Sequence, residues 1–259
     1  MEGKTVKERI SAGKITLGTW IQLPDVFTTE IIAQSGFDWL AIDLEHGLID
    51  LEHAFSLIQI IDRAGVVPLV RLQTNDDVTI RRVLDAGAKG VIVPMVNSPE
   101  DARRIVDAVK YPPMGKRSFG LGRASRFGVT FEEYLRTHNE KSIIVAQIEH
   151  ISALENLDQI LAVPGLDAII IGPYDLSGSL GIPGQFNDPR FQKVISEITR
   201  RVKKAGISLG MHIVHPTQQE LDERIAEGFT FIGFGMDTIF MQEGAMNAVR
   251  CLTDRRKKK

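Results

Sequence analysis

The stretch Ile143-Ile-Val-Ala-Gln-Ile-Glu149 decides the fold. Its unbroken β-branched run suits a strand covered on both faces, as in the parallel sheet of an α/β protein. Gln147 and Glu149 are two residues apart and so point to the same side of that strand. A carboxylate delivered to the end of a buried strand needs a counter-charge, and a divalent metal ion is the obvious candidate. A second stretch, Asp167-Ala-Ile-Ile-Ile-Gly172, makes the same gesture and runs directly into Pro173-Tyr-Asp175-Leu-Ser-Gly178. Two acidic groups therefore end two apolar strands.

Outward from this pair, strands are expected at 16–20, 38–43, 66–71 and 90–94, and beyond it at 207–212 and 230–235. Helical stretches fall between them at 25–33, 51–64, 76–85, from 98 onward, 152–161, 191–205, 216–227 and from about 238. A short charged helix over 5–12 precedes the first strand. Their punctuation is physical: Asp25 as a cap, Pro99 in a first turn, and Gly65, Gly87 and Gly228 as stops. Eight strands alternating with helices, without a compositional break, give an α/β chain read as a single (β/α)8 TIM barrel over 1–259, with a basic tail at 254–259. An open doubly wound sheet is the alternative. It is expected to carry a glycine-rich phosphate fingerprint after its first strand, which Gly18-Thr-Trp does not supply. The irregular piece at 111–130, with Lys116, Arg117, Arg123 and Arg126, is either a solvated loop or, given its length, a lid or intersubunit arm.

Composition bounds the function. With 259 residues, 43% hydrophobic and 25% charged, the chain can bury a substantial core. A net charge of −2 gives no support for nucleic-acid or membrane attraction. The single cysteine, Cys251, excludes an intrachain disulfide and a cysteine metal cluster, and fits a reducing compartment. The first residues lack the apolar core of a signal peptide, and no apolar run is long enough to span a bilayer. A cytoplasmic protein is expected.

In such a barrel the chemistry lies at the C-terminal ends of the strands. Those ends carry Trp20, Asp43 with His46, Arg71, Pro94-Met95, Gln147 with Glu149, Gly172 with Asp175, His212, and Gly235 with Asp237. Polar and ionisable groups gather there, as an active site requires. His46, next to Asp43 and a metal, suits a general base, although a structural loop histidine is the plainer reading. Arg71 either forms a salt bridge with Asp43 or Glu45, or stabilises a developing oxyanion with its fixed fork. The run from Gly172 and Pro173 through Tyr174 to Gly178 frees backbone N–H groups for a substrate carboxylate. His212 faces the mouth and either touches substrate or completes the core. No lysine ends a buried strand, so an imine mechanism fits less well than a metal one.

These residues carry a resemblance. Asp43-Leu-Glu-His46-Gly, Val70-Arg71, Leu84-Asp85-Ala-Gly-Ala, Val93-Pro-Met-Val, Tyr111-Pro-Pro-Met-Gly-Lys-Arg, Gln147-Ile-Glu149 and Ile171-Gly-Pro-Tyr-Asp175-Leu-Ser resemble the HpcH/HpaI family of metal-dependent pyruvate aldolases. The likeness runs from Gly18 to about Asp237, in order. It implies a homohexamer, a trimer of dimers, of (β/α)8 barrels whose last helix is exchanged between subunits. It implies Mg²⁺ or Mn²⁺, with Co²⁺ as a further option, held by Glu149 and Asp175. Pyruvate would be fixed by Gln147 and the backbone at Tyr174 and Asp175. Arg71 would stabilise the enolate, and His46, supported by Asp85, would take the C4 hydroxyl proton. The implied reaction is reversible cleavage of a 4-hydroxy-2-oxo acid to pyruvate and an aldehyde through a metal-stabilised enolate. Two positions depart from the family pattern: bulky Tyr174 where the branch has a small residue, and His212 where leucine is expected. Both are placed along the path to the aldehyde half. The alternatives are a β-hydroxyacyl-CoA lyase of the citrate-lyase kind and a non-catalytic barrel. Neither the aldehyde, the physiological metal nor the pathway is legible.

Overall fold

The computed structural model describes residues 5–257. Eight parallel strands close on themselves in sequence order: β1 (Thr16–Ile21), β2 (Trp39–Asp43), β3 (Val67–Arg71), β4 (Gly90–Val93), β5 (Ile143–Ile148), β6 (Ala168–Ile171), β7 (Ser208–Ile213) and β8 (Phe231–Met236). β8 returns to β1, with Thr16 paired to Phe231, so the open doubly wound alternative is excluded.

Eight helices follow the strands in turn: α2 (Val26–Ala33), α3 (Leu51–Arg63), α4 (Asp77–Ala86), α5 (Pro99–Val109), α7 (Ser152–Leu161), α9 (Pro189–Ala205), α10 (Gln218–Glu227) and α11 (Asp237–Lys257). Three more interrupt this rhythm: α1 (Val6–Ser11) before the barrel, α6 (Phe131–Lys141) before β5, and α8 (Pro173–Ser179) directly after β6. The anticipated cap forms at Asp25, and Asp76 and Ser98 cap in the same way: each accepts a hydrogen bond from the backbone N–H three residues on. The basic tail expected at 254–259 ends in residues 258–259, outside the described residues. Among the described residues no helix is long and apolar enough to cross a membrane.

Strand alternation sorts the core into two layers. Ile42, Val70, Ile144, Ile148 and Ile169 face the helices, in one continuous cluster. Trp39, Ala41, Leu69, Ile143, Val145, Ala168, Ile170 and Phe231 fill the barrel interior. Trp39 stacks on Phe231 at 4.3 Å between ring centroids. Gly18 makes room for it, because a Cβ there would lie 2.0 Å from the indole. α1 closes the strand-start end: Ile10 joins the interior cluster, and Ser208 Oγ donates to the Ile10 carbonyl at 2.8 Å. Arg9 pairs with Asp38, and Lys7 with Asp167, around the same rim. One end of the barrel is thereby sealed, which leaves the other for chemistry.

The 111–130 segment corrects one reading. It follows α5 and leads into α6, so it lies at the sealed end, tied there by Arg117 and Arg123. Arg117 is buried, donates to Asp85 Oδ1 at 2.5 Å and sits over the Tyr111 ring at 4.7 Å. Arg123 donates to Asp62 Oδ2 at 2.7 Å. A segment held at the strand starts cannot be a lid over its own barrel's mouth. Its outward apolar side chains, Phe119, Leu121, Phe127 and Val129, are exposed.

Candidate active site

The inward rows of the strands change character at their final residue. Trp39 and Ala41 are followed by Asp43, Leu69 by Arg71, Val145 by Gln147, Ile170 by Gly172, and Gly210 by His212. Period-two alternation thus lifts one polar group per strand to the open end. There, Trp20, His46, Arg71, Gln147, Gly172, Pro173, Tyr174, Asp175 and His212 line one cavity of about 180 Å³. Asp43 and Glu149 stand behind it, each bonded to a lining residue.

Arg71 is locked in place. Its Nε donates to Asp43 Oδ1 at 2.8 Å and its Nη2 to Asp43 Oδ2 at 2.5 Å, a two-point pairing that fixes the guanidinium plane. The cation also lies 4.3 Å from the Trp20 ring centroid. Gln22 Nε2 donates to Asp43 Oδ2 at 2.9 Å, so that carboxylate is fully engaged. Burial opposes the charge on Asp43, but the Arg71 fork overcomes it and holds the carboxyl below its ordinary pKa. Nη1 of Arg71 is left facing Glu45 Oε2 at 3.4 Å.

Glu149 is the buried counterpart. It accepts from Gln147 Nε2 at 2.5 Å and from the Met95 N–H at 2.6 Å. Met95 reaches that position only with a left-handed backbone (φ 54°), a conformation costly outside glycine and a sign of local constraint. Burial pushes the Glu149 carboxyl above its ordinary pKa, and the Asp175 charge adds to the push. Gly172 leaves room for the Glu149 carboxylate: a Cβ there would lie 2.8 Å from Glu149 Oε2. The run after Gly172, read as a glycine loop, is the first turn of α8, with Pro173 opening it. Helix-start N–H groups at Tyr174 and Asp175 lack intrahelical acceptors, so the donors expected of a loop are provided by a helix instead.

His212 half-fills the mouth. Its ring meets Trp20 edge-on at 5.5 Å, and Nε2 lies 3.1 Å from the Gly235 carbonyl. That carbonyl fixes Nε2 as the protonated nitrogen and leaves Nδ1 as an acceptor. Burial pushes the imidazole down to about 4, so it is neutral at physiological pH. Trp20 Nε1 is buried without a hydrogen-bond partner, an unused donor at the cavity wall.

One placement needs correcting, and one strand-end group is structural. Asp85 was expected to support His46, yet α4 runs antiparallel to the strands and carries Asp85 to the sealed end, where it pairs with Arg117. Within one chain the two residues sit at opposite ends of the barrel. Asp237, counted among the strand-end groups, is fully buried and structural: its Oδ2 accepts from the Gln22 and Leu23 N–H groups at 2.9 and 2.8 Å.

One residue had been read only as a salt-bridge partner. Glu45 places Oε2 3.4 Å from Arg71 Nη1 and 3.8 Å from His46 Nε2, with no hydrogen-bond donor in bonding geometry. Burial pushes its carboxyl up to about 7; Arg71 draws it down, while the Glu149, Asp43 and Asp175 charges add to the rise. The signal was available, since Glu45 stands two residues beyond Asp43, as Glu149 stands two beyond Gln147.

This arrangement can bind an anionic oxygen at Arg71, hold a cation between two carboxylates, and pass a proton through His46. Comparison with known proteins agrees. Residues 16–243 match the family model for HpcH/HpaI aldolase/citrate lyase. The chain is 36% identical over 239 residues to a 2-keto-3-deoxy-L-rhamnonate aldolase of Escherichia coli (strain K12), covering 92% of this chain and 88% of that one. Among solved structures it is similar to a HpcH/HpaI aldolase from Desulfitobacterium hafniense DCB-2 (TM-score 0.87, 31% identity, 96% and 97% of the two chains). It is also similar to the citrate synthase SbnG (TM-score 0.85, 29% identity, 98% and 99%). A family match over nearly the whole barrel is decisive: the chain belongs to the HpcH/HpaI aldolase/citrate lyase family and is an enzyme of the aldehyde-lyase kind.

Proposed function

We propose that the protein is a metal-dependent pyruvate aldolase, which reversibly splits a 4-hydroxy-2-oxo acid into pyruvate and an aldehyde. The observation that carries this is one cavity lined by Asp175, by Gln147 bonded to buried Glu149, and by an Arg71 that Asp43 has immobilised.

The residues fit a divalent cation. Glu149 and Asp175 repel one another, and both offer the hard oxygen ligands that Mg²⁺ and Mn²⁺ prefer. Among the described residues no group of three or more His, Cys, Asp or Glu forms a metal cluster. The chain thus offers two carboxylates, in the manner of a site that leaves further positions to substrate and water. A cation so held supplies Lewis acidity to the 2-oxo group.

The chain's own groups do the rest. Gln147 and the helix-start N–H groups at Tyr174 and Asp175 orient the substrate carboxylate. His46 accepts the C4 hydroxyl proton; the C4–O electrons form the aldehyde carbonyl, the C3–C4 bond breaks, and its pair passes into the pyruvate enolate. Arg71 stabilises the enolate oxygen as charge develops there. Glu45 sits between base and arginine and balances whichever of them is more positive. Protonation at C3 completes pyruvate.

Asp85 enters this scheme only from a neighbouring subunit, since its own barrel holds it at the sealed end. The surface supports such an assembly, with exchange of the last helix as the family resemblance implies. Phe27 and Ile31 on α2 are 72% and 69% exposed, and Met241 and Val249 on α11 are also exposed. The arm at 119–129 presents its own apolar groups.

The test is aldol addition of pyruvate to a panel of aldehydes with Mn²⁺ or Mg²⁺ and with EDTA. Metal-dependent product with a preferred aldehyde supports the assignment. Its absence with every aldehyde contradicts it and favours the second reading, a thioester lyase of the citrate-lyase kind that the family description also includes.

A further inference from the structure

Beside the reaction cavity lies a larger one of about 660 Å³, walled by α8, α9, α10 and the chain around them. Pro173, Tyr174, His212 and Val214 line both, so the two spaces share a partition. The Tyr174 ring is part of it, 60% exposed and edge-on to Phe186 at 4.9 Å. Phe186 in turn meets Phe191 at 5.4 Å, which makes the near end of the groove aromatic. Farther along, Gln192, Ser196 and Thr199 line it at helical spacing on one face of α9, an uncharged hydrogen-bonding row.

The charges on its walls are already balanced. Arg200 pairs with Glu197 at 2.7 Å and Arg224 with Glu227 at 2.6 Å. Glu220 adds a further carboxylate to the lining. Arg224 Nε is buried without a hydrogen-bond partner, a donor suited to a neutral oxygen.

We propose that this groove is the subsite for the tail of the acceptor aldehyde, and that it selects a long, uncharged tail. The segment next to the carbonyl would be apolar and would cross at Tyr174, with hydrogen-bonding groups tolerated farther out. A tail ending in a carboxylate gains no free cation there and meets Glu220. The two positions that depart from the family pattern, Tyr174 and His212, are both at the crossing. The proposal rests on the aldolase reading.

The experiment compares kcat/KM for Mn²⁺-dependent addition of pyruvate to acetaldehyde, hexanal and succinic semialdehyde. Burial of several methylenes is expected to favour hexanal over each of the others by about tenfold or more. Ser196→Trp, on an exposed turn of α9, narrows the groove; it is expected to cost hexanal about tenfold more than it costs acetaldehyde. Equal kcat/KM for hexanal and acetaldehyde, a preference for the semialdehyde, or equal losses in the variant would overturn the subsite. Exchange of the pyruvate methyl protons in D₂O, read in the same samples, separates the two ideas. Exchange without tail preference rejects the groove alone, whereas no exchange and no product rejects the aldolase reading and the subsite with it.

Discussion

Gly172 has no freedom to become anything larger. A Cβ 2.8 Å from Glu149 Oε2 would force that carboxylate to shift. Gly172→Ala is expected to raise the Mn²⁺ concentration for half-activation by about tenfold or more, as displaced ligand supports do. An unchanged metal titration would remove Glu149 from the ligand set. His46→Ala and Arg71→Ala are each expected to lower retro-aldol turnover by about 100-fold, and near-wild-type rates at saturating metal would contradict their roles. At this scale the sequence was legible wherever strand parity applied: Arg71, Gln147, Gly172 and His212 end inward rows. Glu45 followed the same parity. What raises its carboxyl to about 7 is burial, with the Glu149, Asp43 and Asp175 charges adding to it against the pull of Arg71, and spacing does not report that.

The elements were legible to within a few residues where caps and apolar periodicity agreed, as at α7 and α9. α6 was not assigned, although Phe131, Tyr134, Leu135 and His138 stand at helical spacing; of these only His138 is buried, which leaves the apolar face short and half-covered. That histidine has a measurable consequence. Burial and the neighbouring Arg117 push it down to about 3, so it is neutral when folded and titrates near the ordinary 6.5 when unfolded. Between those values the unfolded chain binds more protons, so this contribution to stability is full above about pH 6.5 and is lost as pH falls. Glu45 acts in the opposite sense between 4.5 and about 7. His138→Gln retains Glu45 and is expected to show a smaller drop in Tm from pH 7 to pH 5 than the parent; an equal drop would contradict the assignment. Asp237 is a second structural device, joining the start of α11 to the end of β1 through the Gln22 and Leu23 N–H groups. Asp237→Ala leaves those donors unpaired and is expected to cost about 1–3 kcal/mol, read by denaturant unfolding. A loss below about 0.5 kcal/mol would show that water replaces the carboxylate.

For the whole molecule, barrel closure was anticipated from eight strands with helices between them, and β8 pairing with β1 supplies what periodicity could not. The position of Asp85 was legible in the topology, since a helix that follows a barrel strand runs back to the strand starts; the motif resemblance, taken alone, passed over it. The exposed apolar groups on α2, α11 and the arm give the assembly a direct test. Deleting residues 241–259 is expected to convert the full-length oligomer into smaller species by light scattering; an unchanged mass would exclude an essential role for the last helix. The central claim concerns pyruvate itself, before any aldehyde is chosen. The measurement is proton NMR of pyruvate in D₂O with the protein, with and without Mn²⁺, and with Arg71→Ala beside the parent. The account expects loss of the methyl signal that requires both the metal and Arg71. A methyl signal that persists with metal-loaded protein, or decays equally with the variant, would contradict enolate formation at this site.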